Sequence, residues 1–338
     1  MKPRTIFIIA ALAVVLTLCV LALPMLADST PRDATIRIPR GADKAMISDT
    51  LTKYCGEDFA RRTMRLIPTD KERLAARYGA YRIEQGDSPL TVARRISRGA
   101  QTSFDITVNG VRQLDTFLPR IAAKFDFSAE QLSAALQDPA VMRRHGITDP
   151  RQWPALFLND TYSFFWTATP TEVIDKIADN YHRFWTAERT AQASTLGLTP
   201  LEMTTVASIV DEETNRADEK GRIGRLYINR LQRGMRLQAD PTVRFALGDF
   251  TIKRVSGKHL QADSPYNTYR IQGLPPGPIR TTSKATLLAI LDSSPSSDIY
   301  MCASPDFSGH HIFADSYEEH MRNARKYQAA LDSLGIGL

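Results

Sequence analysis

Cysteine is scarce in this chain: three in 338 residues, at Cys19, Cys55 and Cys302. Cys19 lies in an apolar N-terminal run, and the other two are too few for a disulfide framework. They are either bridged outside the cell or free, buried thiols. No glycine-rich, phosphate-cradling loop occurs, which removes the nucleotide-binding fingerprints. There is no internal repeat and no low-complexity tract. Charge of one sign is also scarce. The formal net charge is +6, and residues 1–26 carry only Lys2 and Arg4. Without that segment 41 basic residues face 37 acidic ones, a net of +4. That balance is no nucleic-acid signature, and no nucleic-acid partner is expected. No metal or cofactor is expected either. Cys302, His310, His311 and His320 fit no standard zinc spacing, and adjacent histidines on a strand point to opposite faces. His311 therefore reads as a structural or hydrogen-bonding residue.

What is present begins with an uninterrupted apolar run from Thr5 to Ala27, with no charge until Asp28. It is long enough to span a bilayer. Lys2 and Arg4 precede it, so residues 1–4 stay cytoplasmic and the bulk lies outside. A cleaved signal peptide is the rival, but the run is long for one and no clean Ala-x-Ala site follows. Leu16-Thr17-Leu18 also lacks the small residues that a lipoprotein signal at Cys19 needs.

Beyond the run, Thr35–Ile38 alternates like a strand, and helical patterns cover 44–54 and 57–67. Ala80–Ile83 is a second strand, followed by a helix from Pro89 to Arg98. Ser103–Val108 is a further strand, and helices are predicted over 112–124, 128–138 and 170–190. In the last of these, Val173, Ile174, Ile177, Tyr181, Phe184 and Trp185 recur at helical spacing, a core stripe. Helices over 200–216 and 218–233 follow, then loops rich in Pro, Asn, Tyr and Gly to about 283. A helix from Thr286, strands at 299–302 and 311–313, and a closing helix over 316–335 complete the chain. This irregular mixture predicts α+β architecture rather than a doubly wound sheet.

The segment richest in chemistry is Ala207-Ser208-Ile209-Val210-Asp211-Glu212-Glu213-Thr214. Its helix starts at a capping box, Thr199-Pro200-Leu201-Glu202, with proline at the first helical position. Val206, Ile209 and Val210 form a stripe, and Glu213 falls within it, three and four residues on. Asp211 and Glu212 point away from that stripe. A carboxyl facing the core side loses hydration, which raises its pKa and lets it act as a proton donor. The alternative is an ion pair with Arg216, Arg222 or Arg225. Asp240 is the natural second carboxylate, or else a helix-start cap in Asp240-Pro241-Thr242. Asn229, Gln238, Tyr266, Asn267 and Tyr269 offer the donors, acceptors and ring faces of a sugar site, or scaffold the loops. Leu274-Pro275-Pro276-Gly277-Pro278 is stiff and is expected to fix one cleft wall. Gly86-Asp87-Ser88 opens like a GDS-type esterase, but Pro89 makes Ser88 a helix cap and no Asp-x-x-His stands near the C-terminus.

Five blocks after Thr199 occur in a fixed order: the Asp-Glu-Glu-Thr helix end, Asn229-Arg230-Leu231, Leu237-Gln238-Ala239-Asp240-Pro241-Thr242-Val243, Tyr266-Asn267-Thr268-Tyr269, and Gly273-Leu274-Pro275-Pro276-Gly277-Pro278-Ile279. This order resembles the endolytic murein transglycosylases, the YceG-like family. Looser matches are Asn109-Gly110-Val111-Arg112, the segment Phe157–Tyr162, and Gly309-His310-His311-Ile312-Phe313. Three positions depart from the family pattern: Asp211 for a glutamate, Asn159 for a proline, and Thr281-Thr282-Ser283 for Asn-Pro-Gly.

The resemblance implies a cytoplasmic tail at 1–4, a transmembrane helix at 5–27, a LysM-like module at 28–102 and a catalytic region at 103–338 with its core at 199–315. It implies an inner-membrane, single-pass lytic transglycosylase whose periplasmic part cuts the MurNAc–GlcNAc bond of peptidoglycan strands beside membrane-bound synthases. Glu213 matches the family's catalytic acid. Asn229, Gln238, Asp240, Tyr266, Asn267 and Tyr269 are the expected substrate-binding residues. A muramidase, or a catalytically silent glycan-binding scaffold, is the alternative. Whether the LysM-like module binds glycan or acts as a spacer is open.

Overall fold

The computed structural model describes residues 3–27, 29–68, 70 and 77–333. It divides into two compact units, one of Met1–Asp105, Ala123–Phe127 and Ser163–Thr169, the other of Ile106–Ala122, Ser128–Tyr162 and Pro170–Leu338.

The first unit opens with α1, Pro3–Ala27, which carries the apolar run. Leu12, Val14, Leu16 and Leu18 on it are all exposed. The side chains of 1–6, 9, 21, 27 and 28 fall outside the description, and among the described residues no helix is long and apolar enough to cross a membrane. Strand β1 (Ala34–Ile38) pairs antiparallel with β2 (Gly79–Ile83), from Ala34 opposite Ile83 to Ile38 opposite Gly79. Period-two alternation turns Ile36, Ile38, Tyr81 and Ile83 inward. They pack with Ile47 and Leu51 of α2 (Lys44–Cys55), Phe59 and Met64 of α3 (Glu57–Leu66), and Val92 and Ile96 of α4 (Pro89–Ser97). Gly56, at φ +89°, makes the tight turn between α2 and α3 that a side chain would resist. Ser88 caps α4 by accepting from the Thr91 N–H, which is why the esterase-like triplet carries no nucleophile. These elements lie within a few residues of their predicted places. Cys55 and Cys302 are free thiols.

Strand β3 (Ser103–Val108) pairs with β4 (Asp160–Phe165). The second unit then runs through α5 (Leu114–Ala122), α6 (Ala129–Gln137), α7 (Pro139–Arg144) and α8 (Trp153–Leu156). The helix predicted over 170–190 is two: α9 (Pro170–Phe184) stops, and Thr186 caps α10 (Ala187–Thr195) by accepting from the Arg189 N–H. The aromatic stripe of α9 is buried, as its spacing predicts. Next come α11 (Pro200–Glu213), α12 (Ala217–Gln232), α13 (Asp240–Leu247) and α14 (Lys284–Leu291). Helices α12 and α14 meet closely, and a Cβ on Gly224 would stand 2.4 Å from Ile290 Cγ1. The hairpin β5 (Tyr300–Ala303) and β6 (His311–Ala314) is antiparallel, and α15 (Tyr317–Ser333) closes the unit. Among the described residues, three separate two-stranded sheets set between helices make the architecture α+β.

Candidate active site

Helix α11 begins at the expected capping box, with Thr199 and Glu202 bonding each other's backbone N–H groups. It is buried on every side from Met203 to Asp211. The sequence reading, with one apolar stripe and two carboxylates turned away, therefore needs correction. Asp211 is buried: Lys220 Nζ donates to it at 2.5 Å, as do the hydroxyls of Thr282 and Thr286. Burial alone would push its carboxyl up, but these donors together hold it below the usual carboxylate range. Glu212 is clasped by Arg112 through both oxygens at 2.8 Å and by Arg280 at 2.9 Å. Both carboxylates pin the end of α11.

Glu213 is different. None of Arg216, Arg222 and Arg225 reaches it: Arg216 bonds the Ser308 carbonyl, Arg222 pairs with Asp298 and Arg225 bonds Ser293. Its hydrogen-bond donor is a phenol, the Tyr227 hydroxyl, at 2.5 Å. Burial pushes the Glu213 pKa up and the negative charge of Asp240 pushes the same way, while the Tyr227 bond, His311 and Arg244 oppose. The residue as a whole is half-buried, and it lines a cleft of about 460 Å³.

That cleft is lined from α12 by Tyr227 and Arg230, from α13 by Asp240 and Arg244, from the hairpin by Tyr300 and His311, and from α15 by Tyr317 and His320. Asp240 opens α13 but makes no cap bond, and its Oδ1 accepts from the Tyr269 hydroxyl at 2.6 Å. Gln238 sits at φ +52°, a left-handed conformation a side chain rarely takes, and its Oε1 accepts from Arg230 Nη2 at 2.6 Å. Arg230 is fixed further by the carbonyls of Arg236 and Ile299.

Of the six expected binding residues, Gln238, Asp240 and Tyr269 line this cleft with Glu213. The other three do not. Asn229 is buried and donates to the carbonyls of Ser296 and Asp298. Asn267 is fully buried, donates to the carbonyls of Leu260 and Ala262, and accepts from the Tyr269 N–H. Both amides hold loop backbones in place. Tyr266 packs on Phe245 in a neighbouring groove of about 360 Å³, and Pro278 lines that groove rather than the Glu213 cleft. The proline loop thus shapes a different wall from the one expected. A Cβ on Gly277 would stand 2.1 Å from the Arg151 carbonyl oxygen, so the loop lies directly on that backbone.

Sequence reasoning missed Tyr227, Arg230, Arg244, Tyr300 and Tyr317. The signal for Tyr227 and Arg230 was their i, i+3 spacing on α12, one face of a helix. The three departures from the family pattern converge in space. Asn159 Oδ1 accepts from the Thr281 hydroxyl, the Asn159 N–H donates to the Thr282 carbonyl, and Thr282 bonds Asp211.

An α+β fold in which one carboxyl of raised pKa heads a cleft of arginine, tyrosine and histidine defines a protein equipped for proton transfer to a polar ligand. The chain belongs to the YceG-like family, whose sequence pattern matches residues 36–326. It is 27% identical over 312 residues to the endolytic murein transglycosylase of Bacillus subtilis strain 168, covering 86% of this chain and 84% of that one. It is 29% identical over 134 residues to the endolytic murein transglycosylase of Streptococcus pneumoniae serotype 2, covering 38% of this chain and 24% of that one. A crystal structure of a yceG-like protein from Listeria monocytogenes superposes with a TM-score of 0.55 at 23% identity, over 86% of this chain and 98% of that one.

Proposed function

We propose that this protein is a peptidoglycan lytic transglycosylase that cuts within glycan strands and leaves 1,6-anhydroMurNAc ends, with Glu213 as its one acid–base group. The observation that carries the reading is the Glu213 environment. Its carboxyl is desolvated, bonded to a phenol rather than a cation, and open to a cleft of sugar-compatible side chains. Protonated Glu213 gives its proton to the glycosidic oxygen as the C1–O bond breaks. The carboxylate so formed takes the proton of the C6 hydroxyl as that oxygen closes on C1, and Glu213 returns to its starting state. No water enters. Tyr227 orients the carboxyl and stabilises its ionised form between the two steps. Gln238, Arg230 and Tyr269 offer hydrogen-bonding groups to the sugar, and the exposed ring of Tyr317 offers a face. The names of the relatives support this reading.

The anchoring belongs to the same proposal. In this reading the apolar sequence run from Thr5 to Ala27 anchors the chain in the inner membrane, with both folded units in the periplasm near the membrane-bound synthases. Residues 28–102 form a LysM-like module. Asp240 shares the cleft and supports a second reading, a hydrolase in which it holds a water.

The test is Glu213→Gln, assayed on purified sacculi by muropeptide mass spectrometry. Cleavage should fall by at least about 10²–10⁴-fold with the fold intact. Activity equal to wild type would remove Glu213 from the chemistry.

A further inference from the structure

On the wall of the cleft beside Glu213, a buried carboxylate holds a histidine by two bonds. Glu219, in the first turn of α12, accepts from the His311 backbone N–H through Oε1 at 2.6 Å and faces His311 Nδ1 through Oε2 at 3.1 Å. The Glu219 side chain is 8% exposed and the His311 ring 20%, so the ring is its open member, and that ring lines the cleft. Its place in the first turn of α12 sets the carboxylate against the positive end of the helix dipole. An ionised carboxylate can only accept, so the nitrogen facing it carries the proton. In the neutral ring the other nitrogen, Nε2, is then a bare acceptor. No protein group among the described residues takes it.

We propose that Glu219 fixes His311 as its Nδ1–H tautomer so that Nε2 accepts a hydrogen bond from the bound sugar, a hydroxyl or acetamide N–H of an N-acetylated hexosamine. The proposal rests on the glycan-cleaving reading above but adds a binding group to it. His311 contacts the sugar, and Glu219 acts through His311 as a positioning residue. No bond is made or broken at the ring. Its task is to choose, by its tautomer, a donor rather than an acceptor on the substrate. The adjacent His310 takes no part, being engaged with Asp218 and Ser308.

Glu219→Gln is the diagnostic change. The amide oxygen can still accept from the His311 backbone N–H. The amide NH₂ then faces Nδ1 and drives the ring proton to Nε2, opposing a substrate donor with a protein donor. The full-length protein, ¹⁵N-labelled at histidine, reports the tautomer of His311 by NMR without any substrate. Binding of soluble peptidoglycan glycan fragments, measured by calorimetry in the Glu213→Gln background, reports the sugar contact without cleavage. The wild-type ring should carry its proton on Nδ1 and the Glu219→Gln ring on Nε2. Glycan affinity should fall roughly ten- to a hundredfold, as expected when a buried hydrogen bond is replaced by two opposed donors. His311→Gln, which still offers an acceptor oxygen, should bind better than His311→Leu. These two variants decide the matter should Glu219→Gln fail to fold. An Nε2–H ring in the wild type, or equal glycan affinity of His311→Gln and His311→Leu, would overturn the proposal. Loss of cleavage in no variant, with the binding losses intact, would instead count against the catalytic reading.

Discussion

Replacing Tyr227 by phenylalanine removes one oxygen atom and with it the Glu213 hydrogen bond, 2.5 Å long in the native protein. Tyr227 is buried, and its own pKa is pushed well above 10 by burial and then by Glu213, so it remains a donor at any working pH. A hydrogen bond to a charged group contributes about 1.5–3 kcal/mol. Its loss removes the main influence holding the Glu213 pKa down, so that pKa rises further. The sign is fixed by the balance at this carboxyl. Burial and Asp240 already push its pKa up, and the phenol is the largest influence opposing them. Because the first step needs the protonated acid, kcat/KM falls as pH climbs through that pKa. In Tyr227→Phe the alkaline limb should therefore move to higher pH, and the plateau should drop because a more tightly held proton is given up less readily. The assay is kcat/KM against pH on defined glycan strands, with released muropeptides quantified by mass spectrometry and thermal melting as the fold control. An unmoved limb, or one displaced to lower pH, would refute the reasoning.

Glu212→Gln should destabilise the protein by about 1–3 kcal/mol in denaturant titration, because it weakens charge-assisted bonds to Arg112 and Arg280. The estimate is discounted because the Arg112 side chain is 42% exposed. Glu213→Gln should do the opposite at neutral pH. Since the folded protein raises the Glu213 pKa, the stability this group supports is full below its unfolded value of about 4.3 and is lost as pH rises through the folded value. The Tm advantage of Glu213→Gln over wild type should widen from pH 4 to pH 8, and a constant difference would contradict the burial argument. Gly224→Ala should cost about 1–3 kcal/mol of stability, since its methyl would collide with Ile290 where α12 crosses α14.

Much of this was legible in the sequence because local signals agreed with the fold. The box at Thr199 and the cap at Ser88 are chemical necessities of a helix start, and alternation placed Ile36, Ile38, Tyr81 and Ile83 on one side of their strands. Glu213 was legible from its position three residues after Val210. What spacing could not convey is how completely α11 is surrounded. Periodicity assumes a solvent face, but Thr204, Thr205, Ser208 and Asp211 are buried through hydrogen bonds, so Asp211 and Glu212, though off the stripe, meet Lys220, Arg112 and Arg280 rather than water. Polar residues in loops were ambiguous for a related reason. Asn267 and Tyr269 stand two positions apart, yet one bonds loop carbonyls and the other reaches Asp240, a difference set by long-range packing. The break between α9 and α10 was hidden because the apolar pattern continues across it, and Thr186 supplied a cap that the stripe outweighed.

The most direct test of the central claim is the fate of solvent oxygen. Purified sacculi digested by the wild-type protein in ¹⁸O-labelled water should yield 1,6-anhydroMurNAc ends, one water lighter than hydrolysis products and free of label, because the C6 hydroxyl is the nucleophile. Asp240→Asn should slow the reaction without changing that product. Reducing MurNAc ends carrying ¹⁸O as the main product would contradict the account and assign Asp240 the role of holding an attacking water.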